Sequence, residues 1–141
     1  MSEAARRLGL FDSTQNILLV GEGDLSFSLS LARAFGDGGG RRITATTFDS
    51  EVFVVAHYAN GRANIAELRR RGATVLHNVD ATRLHALRRK LPASSAVDFA
   101  SIDAVIFNFP HPGWLDEYGM RQGLADIARH VIDTHCEPFF K

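Results

Sequence analysis

The sequence predicts an α/β fold, a parallel sheet with helices laid against both of its faces. Two observations carry that expectation. Four short apolar runs each precede a stretch whose apolar residues recur at helical spacing, and three of those runs stop at Gly or Asp. Regular alternation of strand and helix closes into a parallel sheet because each crossover returns its helix to the sheet face. The expected strand order is 3-2-1-4.

The first strand is Ile17 to Val20, an apolar run bounded by Asn16 and Gly21 and reading as buried on both faces. A glycine-rich turn leads into a helix from Ser26 to Phe35, with Phe27, Leu31, Ala34 and Phe35 at helical spacing and Gly36 ending it. Ile43 to Phe48, rich in Thr, is the second strand and stops at Asp49. Glu51 to Tyr58 and Ala63 to Arg71 read as helix, broken near Asn60 and Gly61 and stopped by Gly72. Thr74 to Val79 is the third strand, ending at Asp80. Thr82 is expected to cap a helix with Leu84, Leu87 and Leu91 on one stripe, and Pro92 lies just past it. Ile102 to Phe109 is the fourth strand, followed by the loop Pro110 to Trp114. A last helix carries Leu124, Ile127, Ala128, Val131 and Ile132.

With 141 residues, 45% of them hydrophobic, the chain is expected to form one domain over residues 16–141, preceded by an extension over residues 1–15. At this size folding buries roughly two-thirds of the surface of the unfolded chain, enough for a core without disulfides. The single cysteine, Cys136, excludes a disulfide framework. No apolar run is long enough to span a bilayer, and the charged start lacks the apolar stretch of a signal peptide, so no membrane role is expected. Sixteen basic residues balance 16 acidic ones, so nucleic-acid binding would have to rest on a local patch rather than on net charge. A complete doubly wound sheet has further strands. The edge beside the fourth strand is therefore expected to be covered by the last helix, by a missing C-terminal segment or by a second copy of the chain.

In such a sheet ligands gather at the carboxyl ends of the strands, where the strand order reverses. After the first strand stand Gly21, Glu22, Gly23, Asp24, Leu25 and Ser26. The paired glycines allow a sharp turn into a helix whose free amides favour an anion. Ser26 stands where a dinucleotide motif places its third glycine, and Glu22 and Asp24 would repel a pyrophosphate. A ligand with a cationic amine or sulfonium suits the turn better, which points to S-adenosylmethionine; the alternative is a plain tight turn. Asp49 can accept both ribose hydroxyls of an adenosine, or cap the helix that follows. Asp80 can accept the adenine amino group, or start a helix. At the fourth strand's tip Asn108 and Pro110 offer an amide and a fixed carbonyl to a planar base, and Phe109 or Trp114 a stacking face. His111 is a candidate proton acceptor or an ordinary loop residue. His130, His135 and Cys136 lack the further ligands a metal site needs, so no metal is expected. Arg69 to Arg71 and Arg88 to Lys90 end two helices, where cations meet the helix dipole, and could equally meet phosphate.

The segments ILLVGEGDLSFSLSLARAF, TATTFDS, VLHNVDAT and IFNFPHPG, in this order, resemble the Rossmann-like class I methyltransferase family of eukaryotic large-subunit ribosomal RNA (uridine-N3)-methyltransferases and the related ferredoxin-fold anticodon-binding domain proteins. The resemblance runs from about Asn16 to Gly113. It implies S-adenosylmethionine at Gly21, Gly23, Asp49 and Asp80, and a target-base site around Asn108, Pro110 and His111. It also implies ribosomal RNA or a pre-ribosome as partner and a nucleolar or nuclear location. Asn108, Phe109, Pro110 and His111 occupy the place of the Asn-Pro-Pro-Tyr-like motif of nitrogen methyltransferases, with His in the aromatic position. Two other readings stand beside it: a non-catalytic binding module, and a nicotinamide-dependent oxidoreductase suggested by Gly21, Gly23 and Asp49.

Overall fold

The structure is a computed structural model and describes residues 4–84 and 99–108. The chain opens with a hairpin, β1 (Arg7–Leu8) against β2 (Phe11–Asp12), within the stretch expected to be a plain extension. Gly9 makes its turn with φ +60°. The Asp12 carboxylate holds the exit by accepting from the Thr14 backbone N–H at 2.9 Å, and Phe11 packs on the main core.

Four parallel strands follow: β3 (Ile17–Leu19), β4 (Ile43–Thr46), β5 (Thr74–Leu76) and β6 (Ala104–Ile106), side by side in the order β5-β4-β3-β6. The register places Leu18 between Thr44 and Val105, and Ala45 opposite Val75. Side chains alternate across a strand, so Ile17 and Leu19 enter one apolar cluster while Leu18 and Val20 enter the other. The central strand is thus buried on both faces, which explains its unbroken apolar run. The first cluster joins the sheet to α1 (Ser26–Ala34), α2 (Glu51–His57) and α3 (Gly61–Arg70) through Leu29, Leu31, Val54, Ile65 and Leu68. On the other face Leu84, Val79 and Ile102 cover Leu18 and Val20.

Several boundaries differ from the sequence reading. The strands end earlier, at Leu19, Thr46, Leu76 and Ile106, because beyond those points the chain leaves the ladder to build the loops at the carboxyl edge. The buried stripe of α1 is Ser28, Leu31, Ala32 and Phe35, with Leu29; Phe27 is only partly covered. A serine hides this stripe from a hydrophobicity pattern, and its burial is made tolerable by the hydrogen bonds described below. Thr82 is not the cap of the turn after β5. Asp80 is, since its carboxylate accepts from the Thr82 N–H at 2.9 Å and from its hydroxyl at 2.6 Å, opening a 3-10 turn over Ala81–Arg83. Leu84 is buried, whereas Leu87, Leu91, Pro92, Arg88 to Lys90 and the last helix lie outside the described residues.

Candidate functional site

Because all four strands are parallel, their carboxyl ends form one edge, and Gly21, Asp49, Asp80 and Asn108 follow those ends. The sheet therefore brings together the predicted residues Gly21, Glu22, Gly23, Asp24, Asp49, Asp80 and Asn108. Phe109, Pro110, His111 and Trp114 lie outside the described residues, as do His130, His135 and Cys136.

The turn after β3 is built backbone first. The Glu22 N–H donates to the Thr46 carbonyl at 3.1 Å and the Val20 N–H to the Ile106 carbonyl at 2.9 Å, so the turn is tied to the last residues of both neighbouring strands. Gly21 then takes φ +66°, and a Cβ built there would lie 2.8 Å from Cε2 of Phe107. The space a side chain would fill is occupied by the Phe107 ring, which packs against the sheet. Gly23 differs: it has no positive φ, and the nearest neighbour to its missing Cβ is the Tyr58 hydroxyl at 3.4 Å.

Helix α1 starts without an ordinary cap. Its first flanking residue is Leu25, at φ +68° and fully buried, whose side chain offers no acceptor. The acceptors come from the preceding turn. The Asp24 carboxylate accepts from the Ser26 N–H at 3.0 Å, and Glu22 Oε1 accepts from the Ser28 N–H at 2.9 Å and from the Ser28 hydroxyl. Two carboxylates thus occupy the helix terminus, where a phosphate would otherwise be favoured. Burial pushes the Glu22 carboxyl above its usual range, partly offset by the Ser28 hydrogen bonds, while Asp24 raises it further. Asn64 of α3 anchors the same turn, its amide donating to the Asp24 carbonyl at 2.8 Å.

Asp49 stands past the tip of β4, partly exposed. It does not cap α2: Ser50 does, accepting from the Phe53 N–H at 3.1 Å. No side-chain hydrogen bond to the partly exposed Asp49 carboxylate is formed among the described residues, so its oxygens keep their acceptor capacity. Its backbone carbonyl is held from below by the Thr47 hydroxyl at 2.7 Å and by the Asn78 N–H at 3.2 Å. Phe48 beside it is 68% exposed, an aromatic face at the same edge. Asn108, exposed, follows Phe107 after β6.

Sequence reasoning missed a buried histidine beneath this loop. The pairing of Thr46 with Leu76 brings the next residues, Thr47 and His77, together, and His77 Nδ1 lies 2.7 Å from the Thr47 hydroxyl oxygen. The hydroxyl's one hydrogen goes to the Asp49 carbonyl, so Nδ1 carries the imidazole proton and donates to Thr47. Nε2 is then a bare acceptor, buried without a hydrogen-bond partner and 3.8 Å from Glu51 Oε2. Only the strand register places these residues side by side, so no local pattern announced them. Burial holds the His77 pKa below its ordinary value of 6.5, against the pull of Glu51 and with the help of Arg69. A depressed histidine pKa means that the unfolded chain takes up the proton more readily. Stability is complete above about pH 6.5 and declines as the pH falls through the lower folded value. The unfolding midpoint is therefore expected to drop as the pH falls below about 6.5, and His77→Gln, which keeps a donor for Thr47 but does not titrate, to flatten that slope. Equal slopes in the two proteins, followed by circular dichroism, would remove His77 as the cause.

Among the described residues no group of three or more His, Cys, Asp or Glu side chains could hold a metal ion, and no helix is long and apolar enough to cross a membrane.

A parallel sheet with a glycine turn entering a helix after its central strand, and an acidic residue after the neighbouring strand, defines a Rossmann-like domain. The sequence profile described as rRNA (uridine-N3-)-methyltransferase BTM5-like matches residues 18–129, and the chain belongs to that family. It is 45% identical over 120 residues to heavy metal-associated isoprenylated plant protein 41 of Arabidopsis thaliana, covering 85% of this chain and 21% of that protein. A second Arabidopsis thaliana protein, of uncharacterized function, is 40% identical over 127 residues, covering 90% of this chain and 54% of its own length. The ferredoxin-fold anticodon-binding domain-containing protein 1 homolog of Mus musculus is 37% identical over 100 residues, 70% of this chain and 14% of that protein. The chain thus spans about half or less of these relatives. No solved structure matches it.

Proposed function

We propose that the chain is the cofactor-binding domain of an S-adenosylmethionine-dependent methyltransferase that acts on N3 of uridine in large-subunit ribosomal RNA, in the nucleolus or nucleus. The observation that carries the reading is the pairing of a carboxylate-filled helix terminus at Glu22 and Asp24, after β3, with the carboxylate of Asp49 after the neighbouring strand β4, at the same carboxyl edge. Glu22 and Asp24 disfavour a pyrophosphate, which speaks against a nicotinamide dinucleotide, and they suit the cationic amine of an amino-acid moiety. Asp49 would accept the two ribose hydroxyls, and the Gly21 to Gly23 backbone would line the same pocket. Asp80, whose carboxylate also caps its own turn, stands at the same edge on the adenine side.

When bound, the cofactor supplies an electrophilic sulfonium methyl. The chain's own contribution is orientation: Asn108 at the tip of β6 would present its amide to the uracil edge, and the Phe109 or Pro110 carbonyl would complete the grip. His111 would take the imide proton as the ring nitrogen attacks. Holding the two reactants in line supplies most of the acceleration, since it removes the bimolecular entropy cost. A base paired within the RNA must first be turned out of its helix.

Calorimetric titration of the chain with S-adenosylmethionine and S-adenosylhomocysteine tests the reading. Saturable binding is expected, weakened by about one to two orders of magnitude in Asp49→Ala, as for the loss of hydrogen bonds to a charged group, with the unfolding midpoint unmoved. Unchanged affinity in the variant would remove Asp49 from the site. Saturable binding without methyl transfer to RNA would instead support a non-catalytic binding module.

A further inference from the structure

Net neutrality conceals a separation of charge. Glu22, Asp24, Asp49 and Asp80 all lie at the carboxyl edge of the sheet, and four carboxylates repel a phosphodiester chain. An RNA whose base enters that edge must have its backbone gripped elsewhere. A group of arginines lies on the opposite side, whereas Arg83 follows Asp80 at the carboxyl edge. The loop from Gly36 to Gly40 leads into the amino end of β4, and Gly72 precedes the amino end of β5.

Around these loops the guanidinium groups converge. Arg33 makes a two-pronged pair with Glu67, at 2.6 and 2.7 Å, and Arg71 Nε reaches the same carboxylate at 2.9 Å. Arg70 approaches it only to 3.7 Å and its side chain is 70% exposed. A fourth arginine sits over the glycines: a Cβ at Gly38 would lie 2.8 Å from Arg41 Nε, and one at Gly72 would lie 3.2 Å from Arg41 Cγ. Missing side chains at Gly38 and Gly72 thus let Arg41 lie across both loops. Three guanidinium groups, Arg33, Arg70 and Arg71, share the carboxylate of Glu67, while Arg41 lies across the Gly38 and Gly72 loops and the Arg6 guanidinium over Gly36. Arg71 is partly buried and also donates to the Gly36 carbonyl at 3.5 Å, whereas Arg41 and Arg70 are more exposed. Arg69 is set apart, since Glu51 takes it in two hydrogen bonds at 3.0 and 3.3 Å.

Helix α3 joins this cluster to the cleft. Its C-terminal turn holds Arg70, and its first turn carries exposed Arg62 on the solvent side while buried Asn64 bonds to the Asp24 carbonyl. We infer that Arg33, Arg41, Arg70 and Arg71, with Arg62 leading to the cleft, form the surface that grips the phosphate backbone of the RNA while the target base enters the acidic edge. This inference rests on the proposed RNA methyltransferase reading and adds where the backbone lies.

The test is fluorescence anisotropy of the whole chain with a labelled single-stranded uridine oligonucleotide over a series of salt concentrations, beside titration with S-adenosylmethionine. In Arg41→Glu/Arg70→Glu the RNA affinity is expected to fall about tenfold or more at low salt, and the cofactor affinity to stay unchanged. The salt dependence should become shallower, its slope reduced by about 0.7 for each phosphate that is no longer neutralised. Equal RNA affinity and equal slope in a folded double variant would overturn the inference and leave the cofactor reading standing. Should the double variant not fold, Arg70→Gln alone, at the loosest of the pairs, is expected to weaken RNA binding about two- to threefold, and no change there would overturn it as well. Competition by polyglutamate as effective as by oligouridylate would overturn RNA as the occupant, since polyglutamate carries charge but no phosphodiester. A wild-type chain that binds the cofactor but no RNA overturns the inference alone, and one that binds neither overturns the underlying reading too.

Discussion

Gly21→Ala is expected to destabilise the chain by about 2–4 kcal/mol and to abolish the proposed S-adenosylmethionine binding. Two costs combine at this position. A non-glycine residue at φ +66° carries strain of about 1–3 kcal/mol, and a Cβ placed 2.8 Å from the Phe107 ring adds an overpacking cost of similar size. Stability of a small domain is about 5–15 kcal/mol, so the loss is a large share of it. The functional loss follows from geometry: moving the Phe107 ring also moves Asn108, while a shifted turn misplaces Glu22 and Asp24. Gly23→Ala is the control, expected to cost less than about 1 kcal/mol because its backbone is ordinary and its nearest neighbour is a hydroxyl that can turn aside. Urea unfolding measures both, and equal losses at the two glycines would refute the assignment.

Leu25 should show an inverted order of substitutions. Its side chain is fully buried in the main cluster while its backbone stands at φ +68°, a conformation a leucine adopts only when burial outweighs the strain. Leu25→Ala is expected to destabilise by about 2–4 kcal/mol through lost burial and an incompletely filled cavity. Leu25→Gly removes slightly more apolar surface yet relieves the backbone, so it is expected to be no worse than alanine. At an ordinary position before a helix interior, glycine is the poorer of the two by about 0.5–1 kcal/mol. Chemical denaturation of the two variants decides it, and a glycine variant clearly less stable than the alanine one would show that the left-handed backbone is not under strain.

The legible part of this site was the part written as short-range pattern. A glycine turn after an apolar run, an acid after the next run and an asparagine after the fourth are each visible within a few residues, and parallel strands bring their ends to one edge automatically. Roles within that edge were less legible. Glu22 and Asp24 read as charges offered to a ligand, but they also serve as the missing caps of α1, because Leu25 cannot supply one. Gly21 read as room for a ligand, whereas its missing side chain makes room for Phe107, a residue far along the chain. His77 and Thr47 had no reading at all, since their hydrogen bond exists only in one register of β4 and β5.

The sequence by itself determined the alternation of strand and helix, the burial of β3 on both faces and the positions of the loops that bear Gly21, Asp49, Asp80 and Asn108, all of which depend on periodicity and turn chemistry within a short window. Tertiary structure alone decided which side chains complete one another: Phe107 over Gly21, His77 under Asp49, and Arg33 and Arg71 on Glu67. The arginines also show why a net charge of zero said so little. Charge composition is a sum over the chain, whereas the field at a surface depends on where the fold places each charge, here Glu22, Asp24, Asp49 and Asp80 at one edge of the sheet and Arg33, Arg41, Arg70 and Arg71 towards the other.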